Sequence, residues 1–440
     1  MAELTPILFL AWYFPPVGGA GVQRSLKFTQ HLPGEGIQPV VLAGPAGGDS
    51  RWTPADASLL QEVDAALPVY RPDGVPAPPG PLLRLRQRIT GELTAVRAFW
   101  QQFVLASGER AAVEHGARAI FVTLGPFECL QPALQLGRRL RLPVIADLRD
   151  PWAFDEMRGY SHRLMRALDQ ARMRRQLSRC DVVVMNTPVA EAVAGEALPE
   201  LRDRLVHVTN GYDAGDFGGA PPAVPGDGVF RIVHAGYLHC DLAQQQAARS
   251  AFSRHLVRGE PRGLDLWGRT HRYLLQALEL LERQQPGTLA RVELQLHGVT
   301  SPADAAITAA SPVRDRVHAT GYRPHRETVV ALRQADLLFL PMQGLPAGQQ
   351  ATIVPGKTYE YLASARPILA AVPAGDARDF VLATGAGRVV EPADVAGMAA
   401  ALGTFIAAGR QPDRALGNAV TRFERRVLTR SLAAAIRRVL

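Results

Sequence analysis

The chain alternates short apolar runs with stretches of helical periodicity, and it does so in two separate series. The first series ends near residue 209, and the second begins near residue 230. Strands that are separated by helices form βαβ units, which place the strands parallel in one sheet. The sequence therefore predicts an α/β protein with two Rossmann-like, doubly wound domains. The expected strands are Ile7–Ala11, Pro39–Ala43, Ala119–Thr123, Val144–Asp147, Asp181–Asn186, Leu205–Thr209, Phe230–Ala235, Val292–His297, Arg316–Thr320, Asp336–Leu340, Pro367–Val372 and Gly387–Glu391.

The two series are separated by residues 210–228, which read NGYDAGDFGGAPPAVPGDG. Glycine, proline and aspartate dominate this stretch and little of it can be buried, so it is expected to be an interdomain linker. We therefore expect one domain over 1–209, a second over 229–412 and a final helical segment over 413–440. Ligands of such sheets bind at the carboxyl ends of the strands, so the expected site is the cleft between the two halves.

The composition restricts the partners. The formal charge is +8, but all basic residues except Lys27 and Lys357 are arginines that are spread along the chain. Because no zinc-finger spacing, aromatic RNA-binding signature or dense basic arm accompanies them, nucleic acid is not an expected partner. A basic surface also suits an anionic substrate or an acidic membrane.

The cysteines and the amino-terminal residues favour a cytoplasmic protein. Cys129, Cys180 and Cys240 are far apart, which argues against a disulfide framework and a zinc knuckle. The first residues lack a basic leader, and the apolar run before Pro15 is too short to span a bilayer.

A stretch from Leu82 onwards has apolar residues at helical spacing, surrounded by arginines. One interpretation is a helix packed on its own domain, and the other is an exposed basic helix that contacts a membrane or a lipid-linked acceptor. The helical positions are Leu85, Ile89, Leu93, Val96, Trp100 and Phe103.

The first strand ends in a glycine-rich turn, VGGAGVQR, followed directly by a helix. Such a turn lets backbone N–H groups approach an anionic ligand. Arg24 stands where a dinucleotide fingerprint needs its third glycine, and no GK[ST] follows, so neither the NAD nor the Walker pattern fits. We therefore expect a ligand or phosphate loop for the acceptor side, formed by Gly18, Gly19, Ala20, Gly21 and Arg24.

Eight patches in the two halves, taken together, resemble family 4-like glycosyltransferases of the GT-B fold, of the bacterial surface-polysaccharide type. The patches are AWYFPPVGGAGVQRSLKF at 11–28, ADLRDPW at 146–152, VVVMNTP at 182–188, VTNGYDAGDF at 208–217, VHAGYL at 233–238, TGYRPHRE at 320–327, ADLLFLP at 335–341 and PGKTYEYLASARPILAAVPAGDARD at 355–379. The resemblance implies a nucleotide-sugar donor in the second half, a saccharide or lipid-linked acceptor, and retention at the anomeric carbon. It also implies that the carboxyl-terminal helix packs back on the first domain.

The segment Pro355–Glu360 is the expected donor site. The backbone amides of Gly356, Lys357 and Thr358 lie at the expected start of a helix. Together with the positive charge of the Lys357 side chain, they suit a diphosphate. Glu360 can accept hydroxyls of a ribose or sugar, and by resemblance it matches the second of two donor-binding glutamates. Further donor-site candidates are His234, Gly236, Tyr322 and His325.

Three positions depart from the family pattern. Thr352 stands where the first donor-binding glutamate is expected, and Tyr237 and Leu242 replace a basic pair. The diphosphate charge must then be neutralised by Lys357, by Arg323 or by an arginine of the 254–272 segment. No metal-binding carboxylate cluster is evident in the sequence, so we expect no metal and no cofactor besides the nucleotide-sugar co-substrate.

ADLRDPW follows an apolar strand, so its charged residues should lie at the carboxyl end of that strand. Asp150 can orient or deprotonate an acceptor hydroxyl, and Arg149 can hold a phosphate or the carboxylates. We expect Asp147, Arg149 and Asp150 to be catalytic, and the alternative is a buried network that only fixes the loop.

The sequence thus predicts a metal-independent, hexosyltransferase-like enzyme of polysaccharide or glycoconjugate synthesis, cytoplasmic and associated with the inner face of the membrane. Two alternatives stay open. One is a catalytically degenerate sugar-nucleotide-binding partner subunit, and the other is a GT-B nucleotide-sugar epimerase.

Overall fold

A computed structural model describes residues 4–47, 56–219 and 222–440. The chain forms two compact units, one that extends to Gly211 and includes Glu424–Leu440, and one over Tyr212–Phe423. Residues 212–228 therefore group with the second unit rather than forming a separate linker, and the return to the first unit comes at Glu424 rather than at 413.

The first unit contains a seven-stranded parallel sheet in the order β3-β2-β1-β4-β5-β6-β7. Its strands are β1 Thr5–Ala11, β2 Ile37–Ala43, β3 Val69–Tyr70, β4 Ile120–Leu124, β5 Val144–Leu148, β6 Val182–Met185 and β7 Leu205–His207. Its helices before the second unit are α1 Ala20–His31, α2 Pro81–Thr90, α3 Thr94–His115, α4 Leu130–Leu140, α5 Arg163–Leu177 and α6 Pro188–Ala197.

The second unit contains a six-stranded parallel sheet in the order β10-β9-β8-β11-β12-β13. Its strands are β8 Phe230–Ala235, β9 Val292–His297, β10 Val317–Gly321, β11 Leu337–Pro341, β12 Ile368–Ala371 and β13 Gly387–Val390. The helices are α7 Cys240–Ala247, α8 Arg272–Gln284, α9 Pro302–Ala309, α10 His325–Gln334, α11 Lys357–Ala363, α12 Asp376–Ala383, α13 Val395–Ala408 and α14 Asn418–Thr421.

The last helix, α15 Arg425–Arg437, belongs to the first unit. Its apolar side chains Leu428, Leu432 and Ile436 join the buried cluster on one face of the first sheet. The opposite face of that sheet is covered by α3 and α4, whose core residues include Trp100 and Leu136. Both faces of each central strand are therefore buried, which explains why the strands read as continuous apolar runs.

The two-domain Rossmann-like prediction is confirmed, and each of the twelve expected strands is present with ends within two residues of those expected. The short edge strand β3 was not predicted. In each sheet the strand order reverses next to the first strand, between β1 and β4 and between β8 and β11. A crevice opens at such a reversal point at the carboxyl ends of the strands, which is where ligands bind in doubly wound sheets.

The single helix expected from Leu82 onwards is broken into two helices. Gly91 has a φ of 70° and ends α2, and α3 begins at Thr94. Leu85 and Ile89 of α2 are exposed, whereas Trp100 of α3 is fully buried. The structure therefore shows α3 packed on its own domain and α2 exposed, and contact of α2 with a membrane or a lipid-linked acceptor stays a prediction.

Candidate functional site

The reversal point of the second sheet is built from two loops that meet at a lysine. Gly236 follows β8 with a φ of 104°, and a β-carbon there would lie 2.9 Å from Nζ of Lys357 at the start of α11. The backbone N–H of Ala235 donates to the hydroxyl of Tyr361, 2.8 Å away, which ties α11 to the end of β8. The lysine therefore lies beside the glycine turn in the crevice between β8 and β11.

Lys357 is held by His234, one of the expected donor-site residues. His234 Nδ1 lies 3.1 Å from the carbonyl oxygen of Phe339, which can only accept, so this nitrogen carries the proton. The lone pair of Nε2 then accepts from Nζ of Lys357 at 3.1 Å. Because His234 is fully buried, it positions the lysine and does not itself face a ligand, which corrects the expectation that it binds the donor.

Burial and proximity to charge change the ionisation of this pair. Burial, followed by the Arg269 guanidinium, lowers the pKa of Lys357 to about 7, with Glu360 acting in the opposite direction. Burial and the charge of Lys357 hold the pKa of His234 well below its usual range. At neutral pH the histidine is therefore uncharged, and the lysine is close to its titration midpoint.

Arg269 is the second cation of this site. Its Nη1 donates to Oε1 of the buried Gln343, 2.9 Å away, just after β11. The loop is seated tightly, because a β-carbon at Gly268 would lie 2.6 Å from the carbonyl oxygen of Met342. The sequence indicated only an arginine somewhere in 254–272, and Gln343 and Tyr361 were missed because their partners are distant in the chain.

Glu360 and His325 lie together on the other side of this crevice. His325 Nδ1 is 3.8 Å from Oε1 of Glu360, and its Nε2 is 3.2 Å from Oδ2 of Asp216. Tyr322, the first residue after β10, is about half exposed. The structure thus brings Glu360, His325 and Lys357 to one end of the second sheet.

Two expected donor-site groups are used internally. The amides of Thr358 and Tyr359 donate to the carbonyl oxygens of Pro355 and Gly356, at 2.9 and 3.3 Å, so they are not free to bind a diphosphate. The side chain of Thr358 is fully buried, and so is most of Thr352. The expectation that Thr358 binds the diphosphate is therefore corrected, whereas a diphosphate contact at Gly356 and Lys357 stays a prediction.

At the reversal point of the first sheet, Arg149 joins three loops. Its guanidinium donates to the carbonyl oxygens of Gly21 at 2.6 Å and Leu124 at 3.1 Å, with a longer bond to Gly125 at 3.4 Å. A β-carbon at Gly21 or Gly125 would lie 2.2 or 2.0 Å from this guanidinium, so both glycines make room for it. Three of its five N–H groups are used, which leaves two for an anion.

Arg24 and Asp147 form a buried ion pair. Nη2 of Arg24 lies 2.6 Å from Oδ1 of Asp147, and the guanidinium also donates to the carbonyl oxygens of Val208 and Thr209. Both side chains are almost fully buried. The pair joins α1 to β5 and the end of β7, so the expectations of a ligand-binding Arg24 and a catalytic Asp147 are corrected to a structural role.

Asp150 is the carboxylate of this group that faces solvent. It is exposed, and no side-chain hydrogen bond or ion pair is recorded for it within the described part of the chain. The expected ligand loop lies in the same unit: Gly18 is buried, Gly19 is the N-cap of α1 with a φ of 95°, and Ala20 is the first residue of α1. Of the three expected catalytic residues, Asp150 and Arg149 therefore stay accessible.

A separate surface of the first unit combines exposed apolar residues with arginines. Leu82, Leu85 and Ile89 of α2 are exposed, and so is Leu164 of α5. Beside them lies a polar cavity of about 230 Å³. It is lined by Arg86, Arg97, Arg172, Arg175, Arg179, Glu92, Gln131 and Gln176. We call these residues and the four apolar ones the α2–α5 surface.

The arginines of this cavity are only partly neutralised. Glu92 lies 3.2 Å from both Arg86 and Arg97, and Arg172 lies 3.3 Å from Glu128 and 2.6 Å from Asp169. The Nε of Arg97 faces Glu92 without hydrogen-bond geometry, and the buried Nε of Arg172 has no hydrogen-bond partner in the part of the chain that the structure describes. The five arginines that line the cavity outnumber these three carboxylates, which leaves an excess of positive charge. In the described ranges, no helix is both long and apolar enough to cross a bilayer.

The family described as "Glycosyl transferases group 1" matches residues 265–408, about a third of the chain. This segment contains Arg269, Lys357 and Glu360. No curated protein matches the sequence.

Solved structures match over nearly the full length at low identity. Anabaena HepE in complex with UDP-glucose is 16% identical, with 98% of this chain and 99% of that chain covered and a TM-score of 0.59. A glycosyltransferase from Rickettsia africae is 12% identical, with 99% and 98% covered and a TM-score of 0.60. A putative UDP-N-acetylglucosamine 2-epimerase from Listeria monocytogenes is 10% identical, with 98% and 96% covered and a TM-score of 0.58.

The two parallel sheets and these similarities define the fold as GT-B. At such identities the similarity extends to the fold alone, and the similar structures include one named a glycosyltransferase and one named an epimerase. The activity must therefore be argued from the residues of this chain.

Proposed function

We propose that the protein is a glycosyltransferase that moves a sugar from a nucleotide-sugar donor to an acceptor hydroxyl. The observation that carries this proposal is the group of Lys357, Arg269 and Glu360 at the reversal point of the second sheet. All three lie in the segment that matches the glycosyltransferase family.

Each of these residues has a defined task at a donor. The leaving nucleoside diphosphate gains negative charge as the glycosidic bond breaks, and Lys357 with Arg269 stabilises that charge. Glu360 accepts hydrogen bonds from hydroxyls of the ribose or the sugar. Because two side-chain cations can neutralise the diphosphate, we propose that transfer needs neither a catalytic metal nor another cofactor.

The acceptor is assigned to the first unit. The exposed carboxylate of Asp150 would orient the acceptor hydroxyl or take its proton, and the two unused N–H groups of Arg149 would hold an acceptor phosphate. Retention at the anomeric carbon is proposed on the resemblance of the sequence to family 4. A UDP-hexose donor is proposed because HepE was solved with UDP-glucose.

The acceptor is further proposed to be a growing surface saccharide on a lipid, at the cytoplasmic face of a membrane. The α2–α5 surface supports this, because its leucines can enter the interface while its arginines pair with anionic headgroups. Each arginine near an anionic surface contributes about 1 kcal/mol, so several together are needed for stable binding.

The donor proposal is tested by calorimetric titration with UDP, GDP, ADP and dTDP. We expect one of them to bind. The Glu360→Gln variant should bind the corresponding nucleotide sugar more weakly by about 1–3 kcal/mol, because it loses a charge-assisted hydrogen bond. Glu327→Gln, an exposed glutamate in α10, is the matched control and should bind like the wild type. Equal affinities in both variants would remove Glu360 from the site.

Turnover separates the alternatives. Sugar transfer to a lipid-linked saccharide supports the proposal, and NMR of the product gives the anomeric configuration. Formation of an epimer from the donor alone would replace it with the epimerase. Donor binding without turnover, with plausible acceptors present, would favour a catalytically degenerate partner subunit. The buried Thr352, which stands in place of a donor-binding glutamate, is the observation that favours this alternative.

The membrane contact is tested by sedimentation with vesicles. The wild type should sediment with vesicles that contain phosphatidylglycerol, and the Leu82→Glu, Leu85→Glu double variant should stay in the supernatant. The control Val113→Glu alters an exposed valine of α3 outside this surface and should still bind. Equal binding of all three proteins would contradict the assignment of the α2–α5 surface.

A further inference from the structure

Three buried metal-ligating atoms converge beside the donor crevice. They are Sγ of Cys240 at the start of α7, Nδ1 of His271 before α8, and a carboxylate oxygen of Asp304 in α9. All lie within 4.8 Å of one another, and the sulfur–nitrogen distance is 3.8 Å. Each side chain is at least 98% buried, so bulk water does not satisfy them.

The hydrogen bonds around His271 define its tautomer. The hydroxyl of Thr308 donates to the carbonyl oxygen of Asp304 at 3.1 Å. The same hydroxyl oxygen is 2.8 Å from Nε2 of His271 and must therefore accept from it. A neutral imidazole with its proton on Nε2 has a bare lone pair on Nδ1, and this lone pair faces the sulfur of Cys240.

The carboxylate has one oxygen satisfied and one free. Oδ2 of Asp304 accepts from the backbone N–H of Ser301 at 2.7 Å and from its hydroxyl at 2.9 Å. Oδ1 is buried, and no donor reaches it with hydrogen-bond geometry. The Thr270 hydroxyl also reaches the sulfur, but its proton goes to the carbonyl oxygen of Trp267 at 2.7 Å. Among the described residues, the Cys240 thiol therefore supplies the one proton at the point where a lone pair of Nδ1, a carboxylate oxygen and a sulfur meet.

One proton cannot satisfy three buried electron-pair donors, and a bound cation would satisfy all of them. We propose that Cys240, His271 and Asp304 bind a divalent transition-metal ion, with zinc as the best match to this sulfur, nitrogen and oxygen set. A tetrahedral zinc ion with Zn–S of about 2.3 Å and Zn–N of about 2.0 Å requires a sulfur–nitrogen distance of about 3.5 Å. The observed 3.8 Å is about 0.3 Å longer, so binding would draw the two atoms slightly together.

Charge and proton balance support the same ion. Binding forms one bond each to sulfur, nitrogen and oxygen, the thiol proton leaves to solvent, and the thiolate and carboxylate neutralise the two positive charges. Thr308 is the outer partner of His271, an arrangement that fixes ligating histidines in known metal sites.

The ion would be structural and would not touch the substrate. Cys240 lies four residues after Gly236, and His271 lies two residues after Arg269. An ion bound between them would therefore fix the two loops that surround Lys357. This inference goes beyond the proposed function, because the site forms within the second unit whether or not the protein transfers a sugar.

The test uses full-length protein without an affinity tag. After removal of metal by chelation and dialysis against zinc, elemental analysis should give one zinc per chain. Replacement by cobalt should give a thiolate-to-cobalt charge-transfer band in the near ultraviolet and visible bands of tetrahedral intensity. Absence of stoichiometric zinc and of the charge-transfer band in the wild type would overturn the proposal.

Two pairs of variants assign the ligands. Cys240→Ser should abolish the charge-transfer band, and Cys180→Ser, at another buried cysteine, should retain it. Should Cys240→Ser fail to fold, Thr308→Val provides an independent measure, because loss of the histidine's partner weakens binding about 10- to 100-fold. Its control is Thr404→Val, whose hydroxyl bonds only within α13. An unchanged zinc affinity in Thr308→Val would contradict the proposed geometry.

Discussion

Binding of a nucleoside diphosphate should depend on pH through Lys357. Burial and Arg269 lower the pKa of this lysine to about 7 from its usual 10.5. The protonated form attracts the negatively charged diphosphate. Binding of the diphosphate therefore raises the pKa of the lysine, and the complex takes up a proton. Affinity should therefore be high below pH 7 and should decrease as the pH rises through this value.

The size of the effect follows from the titration. At about pH 9, two units above the pKa, only about 1% of the free protein has a charged Lys357. Restoring the charge costs about 1.36 kcal/mol per unit, which gives about 2.7 kcal/mol or a 100-fold weaker affinity if the lysine is fully protonated in the complex. Diphosphate ionisation does not interfere, because its last pKa is about 6.

The neighbours of Lys357 do not produce the same profile. The pKa of His234 lies well below its usual range, so it is neutral throughout. Arg269 keeps its charge because a guanidinium is not deprotonated in this pH range. The decrease in affinity should therefore reflect Lys357 alone.

Calorimetry in two buffers of different ionisation enthalpy measures this proton uptake directly. Near pH 8 the wild type should take up almost one proton per diphosphate, and Lys357→Met should take up none. The reasoning is refuted if the wild type binds equally well at about pH 7 and 9, with a heat that does not depend on the buffer.

Other predictions concern Arg24 and Arg149 of the first unit and the burial of Lys357. Asp147→Asn should lower the free energy of unfolding by about 3–5 kcal/mol, because it leaves Arg24 buried without its partner, whereas Asp150→Asn should leave the denaturation midpoint unchanged; equal midpoints would contradict the buried pair. Gly125→Ala should displace Arg149 and reduce transfer while nucleotide affinity is retained, and normal transfer would show that this guanidinium is not needed in place. Lys357→Met should raise stability at pH 7 by on the order of 1 kcal/mol, since it removes a buried ammonium, and a lower melting temperature would contradict this.

The strands could be predicted because they are buried on both faces. Val144–Leu148 and Leu337–Pro341 have no exposed side and so give uninterrupted apolar runs. The edge strand Val69–Tyr70 pairs on one side over two residues and gives no such signal. The break between α2 and α3 was missed because apolar spacing continues across Gly91, whose positive φ ends the helix.

The site was predictable where local chain geometry sets it and not where distant residues meet. Lys357 and Glu360 stand in the first turn of a helix, which predicts a ligand-facing position, and the structure places them at the reversal point of the second sheet. The pairing of Lys357 with His234 spans 123 residues, and that of Arg24 with Asp147 also spans 123. No local pattern in the sequence encodes such pairs, so two residues expected to bind ligands proved to be buried partners.

The central claim is that Lys357 and Arg269 together bind the donor diphosphate. The most direct measurement compares the affinity of the preferred nucleoside diphosphate with that of the nucleoside alone, in the wild type and in the Lys357→Met, Arg269→Met double variant. Two charge-assisted contacts of about 1.5–3 kcal/mol each predict that the diphosphate preference of the wild type falls by at least about 100-fold. An unchanged preference in a folded double variant would place the diphosphate elsewhere and contradict the account.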